Sequence, residues 1–346
     1  MGGASNSVSE LLLPAMNTTL VTAYYRFSSK HSGTEYDQWM RNLFANVHMP
    51  MVIFCEGSIG AWIGQIRAEA GLGRLTHIVP LPWNSLESHK HLAHWKRDLS
   101  RDPQRSIHNT NLYVVWAEKM RFVERAIHSN PFGSEWFCWC DAGYFRNASE
   151  MPYYRTWPSP SFIAKAARDK LHITGINPFL AAELNAGGGI PSSLSMVGKV
   201  RLAAGVMLAH AEHWSRMVIP QFYALQGFLI SHNQFAGREE TVLNVLCIKH
   251  PTLFSVMQAR GRTEQDRWFW GRRAFLNEPP PQPAAHSASA TTTITPNAQS
   301  ERFLAMLTNQ RPDHRLLDGR RVQYQATLKP PSSFNTVEWE TVTVVQ

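Results

Sequence analysis

Residues 135–147 read EWFCWCDAGYFRN, and the reading of this stretch decides the fold. Trp136 to Cys140 form a continuous apolar run that ends on a carboxylate, Asp141, with Gly143 two residues later. An apolar run of this length bounded by turn residues reads as a strand buried on both faces, which is the habit of parallel sheets covered by helices. In such sheets ligands collect at the carboxyl ends of the strands. A charged side chain placed at that end is therefore a candidate for ligand contact, and the other reading is an aspartate that caps the turn after the strand.

The surrounding pattern agrees. TTLVTAYY (residues 18–25), PMVIFCEG (50–57) and LTHIVPL (75–81) read as further strands. Between them GTEYDQWMRNLFANV (33–47) and IGAWIGQIRAEAG (59–71) carry helical periodicity, the first with Thr34 and Asp37 as its expected capping pair. HLAHWKRDLSRDPQ reads as helix and loop, and NLYVVWAEKMRFVERAIHSNPFG as a long helix ended by Asn130, Pro131 and Gly133. Further on, KLHITGIN and VRLAAGVMLAH are strand candidates flanking the glycine-rich NAGGGIPSS. A helix interrupted at Pro220 follows, then a helix over GREETVLNVLCIKHP. The expected architecture is α/β: one domain over residues 18–276 with a mostly parallel central sheet covered by helices. Residues 1–17 are expected to be a flexible N-terminus, 277–300 a Pro/Ala/Ser/Thr linker, and 301–346 a loosely structured tail.

Composition bounds the function. The chain has 346 residues, 44% of them hydrophobic and 17% charged, with a formal net charge of +8. A sizeable core follows from the first two figures, and a preference for anionic partners from the third. Four cysteines, Cys55, Cys138, Cys140 and Cys247, all fall in apolar runs without the spacing of a zinc site, so buried thiols are expected. The N-terminal residues lack the basic start and long apolar core of a signal peptide, and no run is long enough to cross a membrane. A cytoplasmic protein is expected, with peripheral membrane contact through the Trp- and Arg-rich DRWFWGRR (266–273) as an option. SHKHLAHW, with His89, His91 and His94, reads as surface. NAGGGIPSS lacks the ending of a phosphate-binding P-loop and reads as a mobile loop. Arg26 and Lys30, after the first strand, are placed to reach phosphates or to sit in an exposed loop.

The runs TTLVTAYY, YDQWMRNLF, PMVIFCEG, FCWCDAGYFRN, RLAAGVMLAH and GREETVLNVLCIKHPTLF together resemble the HtrL/YibB family, glycosyltransferase-like proteins associated with bacterial surface polysaccharide. The most specific element is W-x-D-x-G-x-x-R, here Trp139, Asp141, Gly143 and Arg146. The resemblance implies a GT-A-like sheet that binds a nucleotide-sugar and passes the sugar to a glycan or lipid-linked acceptor. It implies that Thr22 and Ala23 border the donor base, and that Arg26, Asp141, Gly143 and Arg146 hold the donor. Asp141 would meet a divalent ion, Mn²⁺ or Mg²⁺, with His250 as a second metal ligand. Ala204 and Gly205 would line the acceptor side, and Glu239 or Glu240 would be the catalytic acid group near the reacting carbon. One departure stands out: Trp139 occupies the place where many metal-using relatives of that fold carry a second acid. A non-catalytic nucleotide-sugar or glycan binder with a degenerate site is therefore the alternative reading. No nucleic-acid-reading module is recognisable, and no nucleic acid is expected to bind.

Overall fold

The computed structural model describes residues 17–27, 31–184 and 196–276, and beyond them four short strands between 316 and 345. Lys30, all of NAGGGIPSS, the linker 277–300, residues 1–16 and most of the tail lie outside the described residues. The chain divides into two units: one of Met1–Pro178 with Ala186–Pro280, the other of Phe179–Asn185 with Pro281–Gln346. In the second, Leu316–Leu317 pairs with Arg320–Arg321 and Gln323–Gln325 with Thr343–Val345, both antiparallel.

The first unit is an α/β domain built on a seven-stranded sheet. Its elements in chain order are β1 (Thr18–Tyr24), α1 (Gly33–Asn46), β2 (Met51–Cys55), α2 (Gly57–Glu69), β3 (Thr76–Pro80), α3 (Leu92–Arg101) and α4 (Thr110–Ser129). They continue as β4 (Trp136–Cys140), β5 (Leu171–Gly175), β6 (Leu202–His210), α5 (Ile219–Ser231), α6 (Glu239–Lys249) and β7 (Phe254–Gln258). The strand order is β3-β2-β1-β4-β6-β5-β7. β1 pairs in parallel with both β2 and β4, and β6 alone runs antiparallel to its neighbours β4 and β5. The chain winds outward from β1 through β2 and β3, then returns to lay β4 on the other side of β1. In open sheets of this kind ligands bind at the carboxyl ends of the two strands where the order reverses, here β1 and β4.

The burial pattern explains which strands sit where. Every residue of β2, β4 and β5 is buried, as the continuous apolar runs of β2 and β4 require, with His172 and Thr174 of β5 buried as well, while the edge strands β3 and β7 are mostly half-exposed. The sequence pattern does not announce β7: FSVMQ follows the helix-ending His250-Pro251 and is too short and too mixed to stand out. One core face gathers Leu20, Ile53, Cys138, Cys140, Leu208 and Phe44 against α1 and α2. On the other face Phe122 of α4 stacks on Trp139 with ring centroids 5.8 Å apart. All four cysteines are free and buried, and burial pushes the thiols of Cys138 and Cys140 up.

Local signals set the helix limits. Ser32, not Thr34, caps α1: its hydroxyl accepts from the backbone N–H of Glu35, whose carboxylate accepts from the N–H of Ser32. Glu35 completes that reciprocal box better than the shorter Asp37, which instead pairs with Arg26 at 3.2 Å. α4 starts at the Asn109 cap and stops at Asn130, which adopts the left-handed conformation with φ of 31°. The break expected at Pro220 is a π-helical turn over Trp214–Val218, placed just before the proline so that Pro220 falls in the first turn of α5.

Arg67 of α2 is fully buried, and among the described residues no carboxylate pairs with it. Its guanidinium donates to Thr76 Oγ1 and to the carbonyls of Phe44, Val47, Met49 and Leu75, tying the end of α1 to the starts of β2 and β3. Burial lowers it to about 10. An Arg67→Ala variant strands several buried carbonyls at roughly 1–3 kcal/mol each. The expected loss of at least about 3 kcal/mol is read from the urea unfolding midpoint at constant slope.

Candidate functional site

Asp141 follows β4 directly, and its backbone N–H donates to the Gly205 carbonyl of β6 at 2.8 Å. Its side chain is 40% exposed. The carboxylate does not cap its own turn. Oδ1 accepts from the Trp139 indole Nε1 at 2.7 Å and from Lys119 Nζ of α4 at 2.8 Å. The two-residue period of the strand puts Trp139 and Asp141 on the α4 face of the sheet, which is why the indole reaches the carboxylate.

Lys119 is the residue the sequence reading missed. Its ammonium is 2% exposed, touches Glu239 Oε1 at 2.7 Å and donates to the Ala204 carbonyl at 3.2 Å. Two acids singled out in the sequence, nearly a hundred positions apart, thus share one buried cation. Burial alone would drive Lys119 toward the neutral form, but the Asp141 and Glu239 carboxylates outweigh it and hold its pKa above the usual value. The signal was present: Lys119 stands in register with Phe122, Val123 and Ala126 on the apolar stripe of α4, a place no solvated lysine takes.

The carboxylates at the start of α6 differ. Glu239 is buried and committed to Lys119, which removes it as a group that meets a reacting carbon. Glu240 keeps 17% of its side chain exposed and pairs with Arg238 Nη2 at 3.1 Å. Burial, reinforced by the neighbouring Glu239 charge and opposed by Arg238, pushes its carboxyl up to about 7. Arg238 in turn donates to Gln104 Oε1 at 2.9 Å and faces buried Asp102. Asp102 takes Tyr113 Oη at 2.6 Å and His108 Nδ1 at 2.8 Å. Burial would raise Asp102, yet those two partners, the Gln104 N–H and Arg238 hold it down near 2.

The loop that precedes α6 is anchored just as firmly. Ala236 N–H donates to buried Asp98 at 2.7 Å, and the Gln234 carbonyl lies 2.9 Å from His94 Nε2. His94 is therefore interior, at 3% exposure, and not the surface residue its histidine-rich surroundings suggest.

Arg146, in the loop after β4, lies in an aromatic clamp formed by Trp39 of α1 and Phe269. The guanidinium lies 4.1 Å from the Trp39 ring centroid and 4.5 Å from that of Phe269. Nε donates to the Gly143 carbonyl at 3.4 Å, and among the described residues no carboxylate pairs with Arg146. Gly143 packs on Tyr36 and Trp39, where an added Cβ would sit 3.4 Å from each ring. Arg272 and Arg273 of DRWFWGRR turn to Glu150 at 2.9 and 3.2 Å, so this basic stretch serves the fold.

Several expected positions move. Thr22 and Ala23 lie within β1 and are 0% and 8% exposed, between the paired strands β2 and β4. Arg26 is exposed and paired with Asp37. Ala204 is buried, and only its carbonyl takes part, through Lys119. Gly205 is buried as well: a Cβ there would meet Tyr144 at 2.9 Å and Asp141 Oδ2 at 3.5 Å, so glycine lets Tyr144 and Asp141 sit beside β6 and does not open an acceptor surface. Gly205→Ala is expected to lower the melting temperature by several degrees and to disturb Asp141. His250 caps the far end of α6, about 16 Å from Glu239 at 1.5 Å per residue, and cannot ligate an ion with Asp141. Among the described residues, no three His, Cys, Asp or Glu side chains come together as a metal site requires.

A cavity of about 270 Å³ lies elsewhere, lined by Ala117, Glu118 and Arg121 of α4 together with Tyr223, Gln226 and Ile230 of α5. None of the residues named for the site lines it. No helix among the described residues is long and apolar enough to cross a membrane.

In comparisons with known proteins, residues 16–276 match the profile of a family described as "Bacterial protein of unknown function (HtrL_YibB)". No curated protein matches the chain.

Proposed function

The chain belongs to the HtrL_YibB family, and from its site we propose that it is a glycosyltransferase that takes a sugar from a nucleotide-sugar and passes it to a glycan or lipid-linked acceptor. The observation that carries the reading is the half-exposed Asp141 carboxylate, held at the carboxyl end of β4 by Lys119 and Trp139. A mostly parallel sheet whose only reversed strand passes beside this aspartate supports a GT-A-like assignment.

The roles follow from geometry. Asp141 Oδ1 is occupied by two donors, which leaves Oδ2 to accept from a donor hydroxyl. Arg146 brings a guanidinium fork whose aromatic clamp fixes its plane, suited to the two phosphates of the leaving group. As the glycosidic bond to the phosphate breaks, negative charge concentrates on the departing diphosphate, and a preoriented cation stabilises that charge most. Glu240, partly exposed and with a carboxyl poised near neutrality, is the base toward the acceptor hydroxyl. Glu239 positions Asp141 through Lys119.

The test is nucleotide release from UDP-, GDP- and CMP-sugars by the full chain. Release from one donor class, raised by a glycan acceptor, is the expected result. Binding of a nucleotide-sugar without release would establish the non-catalytic binder, and no response to any donor would reject both.

A further inference from the structure

We propose that Lys119 stands in the place a divalent ion would take between Asp141 and Glu239, so that this site works on its donor without a metal. This role for Lys119 rests on the proposed function and specifies the cation of that same site. A hard divalent ion at a diphosphate takes about six oxygen ligands, one or two of them carboxylates and the rest waters and phosphate oxygens, so it needs carboxylate oxygens that no other cation holds. The oxygens that converge between the two acids are Asp141 Oδ1, Glu239 Oε1 and the Ala204 carbonyl, and one ammonium already engages all three, at 2.8, 2.7 and 3.2 Å, which leaves Asp141 Oδ2 as the open oxygen of that carboxylate. The ammonium also lies 5.6 Å from the Trp139 ring centroid, so its surroundings are filled by protein. A second cation of double charge placed on these oxygens would face an adjacent buried positive charge and would have to displace it.

The sequence departure has the same sense: Trp139 replaces the second acid of a metal-using strand end, and its indole spends a hydrogen bond on Asp141 Oδ1. What is left for the diphosphate is Arg146, outside the Lys119 cluster and without a carboxylate partner among the described residues.

The experiment titrates Mn²⁺ alone into the full chain and follows free Mn²⁺ by electron paramagnetic resonance, with Asp141→Asn as the control. The expected result is no Mn²⁺ binding that depends on Asp141. A second arm measures UDP, GDP and CMP affinity by calorimetry in EDTA and in Mn²⁺, and any nucleotide that binds is expected to do so equally, within about twofold. Lys119→Met, which keeps the side-chain volume and frees two carboxylates, is expected to gain thermal stabilisation by Mn²⁺. Tight Mn²⁺ binding lost in Asp141→Asn, a tenfold gain in nucleotide affinity on adding Mn²⁺, or a folded Lys119→Met indifferent to Mn²⁺ would each overturn the inference. Should Lys119→Met fail to fold, the wild-type titration decides alone. Failure of every nucleotide to bind would count against the transferase reading, while the Mn²⁺ titration would still settle this one.

Discussion

Asp141→Asn is expected to cut nucleotide release from the donor by about 10²–10³-fold, with the fold intact. Asparagine keeps an oxygen that accepts from the Trp139 indole and from Lys119, so the local frame survives. It loses the negative charge that balances Lys119 and that orients the donor hydroxyl. A buried ammonium deprived of part of its compensation destabilises the protein, but Glu239 still holds it at 2.7 Å. The melting temperature is therefore expected to fall by only a few degrees while turnover collapses. Full turnover in a folded Asp141→Asn protein would remove the residue from the reaction.

Glu240→Gln carries the second large effect, a loss of about 10²–10⁴ in kcat when an acceptor is present. The pH dependence fixes the role. A base acts when deprotonated, so a group pushed up to about 7 gives wild-type activity that climbs as pH rises through about 7 and then levels. Glu240→Gln is expected to lose that ascending limb along with the rate. A merely structural Glu240, bonded only to Arg238, would leave the profile's shape unchanged when replaced. Donor hydrolysis without acceptor should respond less than transfer, because water needs no positioned base to the same degree.

The residues show where sequence carried the fold and where it stopped. β4 was legible because an unbroken apolar run closed by a carboxylate matches a doubly buried strand, and Asp141 does follow its carboxyl end with a half-exposed side chain. α4 was legible as a long helix stopped at Asn130; its start lies one residue before the expected Asn111, behind the Asn109 cap. Thr22 and Ala23 were assigned to the donor base only through the resemblance; the strand itself was read to Tyr25, one residue past its observed end, and both residues lie buried within it. The antiparallel direction of β6 left no local trace, because a strand buried on both faces has the same composition either way. Ala204 and Gly205 stand out for their size, but what keeps position 205 small is a neighbour invisible in sequence, the Tyr144 ring against Gly205. Lys119 and Arg238 were passed over because charged residues on helices usually meet water, and only tertiary contact turns them into partners for Asp141, Glu239 and Glu240. His94 was misread for the same reason: its Asp98 partner comes from one helical turn away, and its Gln234 carbonyl partner from the loop before α6.

The most direct test of the transferase site is a crystal structure of the full chain with the nucleoside diphosphate that its donor releases. The diphosphate is expected at the Arg146 guanidinium between Trp39 and Phe269, with Asp141 Oδ2 open toward the missing sugar and Lys119 still bound to Asp141 and Glu239. A nucleotide seated instead in the cavity between α4 and α5, beside Tyr223 and Gln226 and away from Asp141, would contradict that assignment.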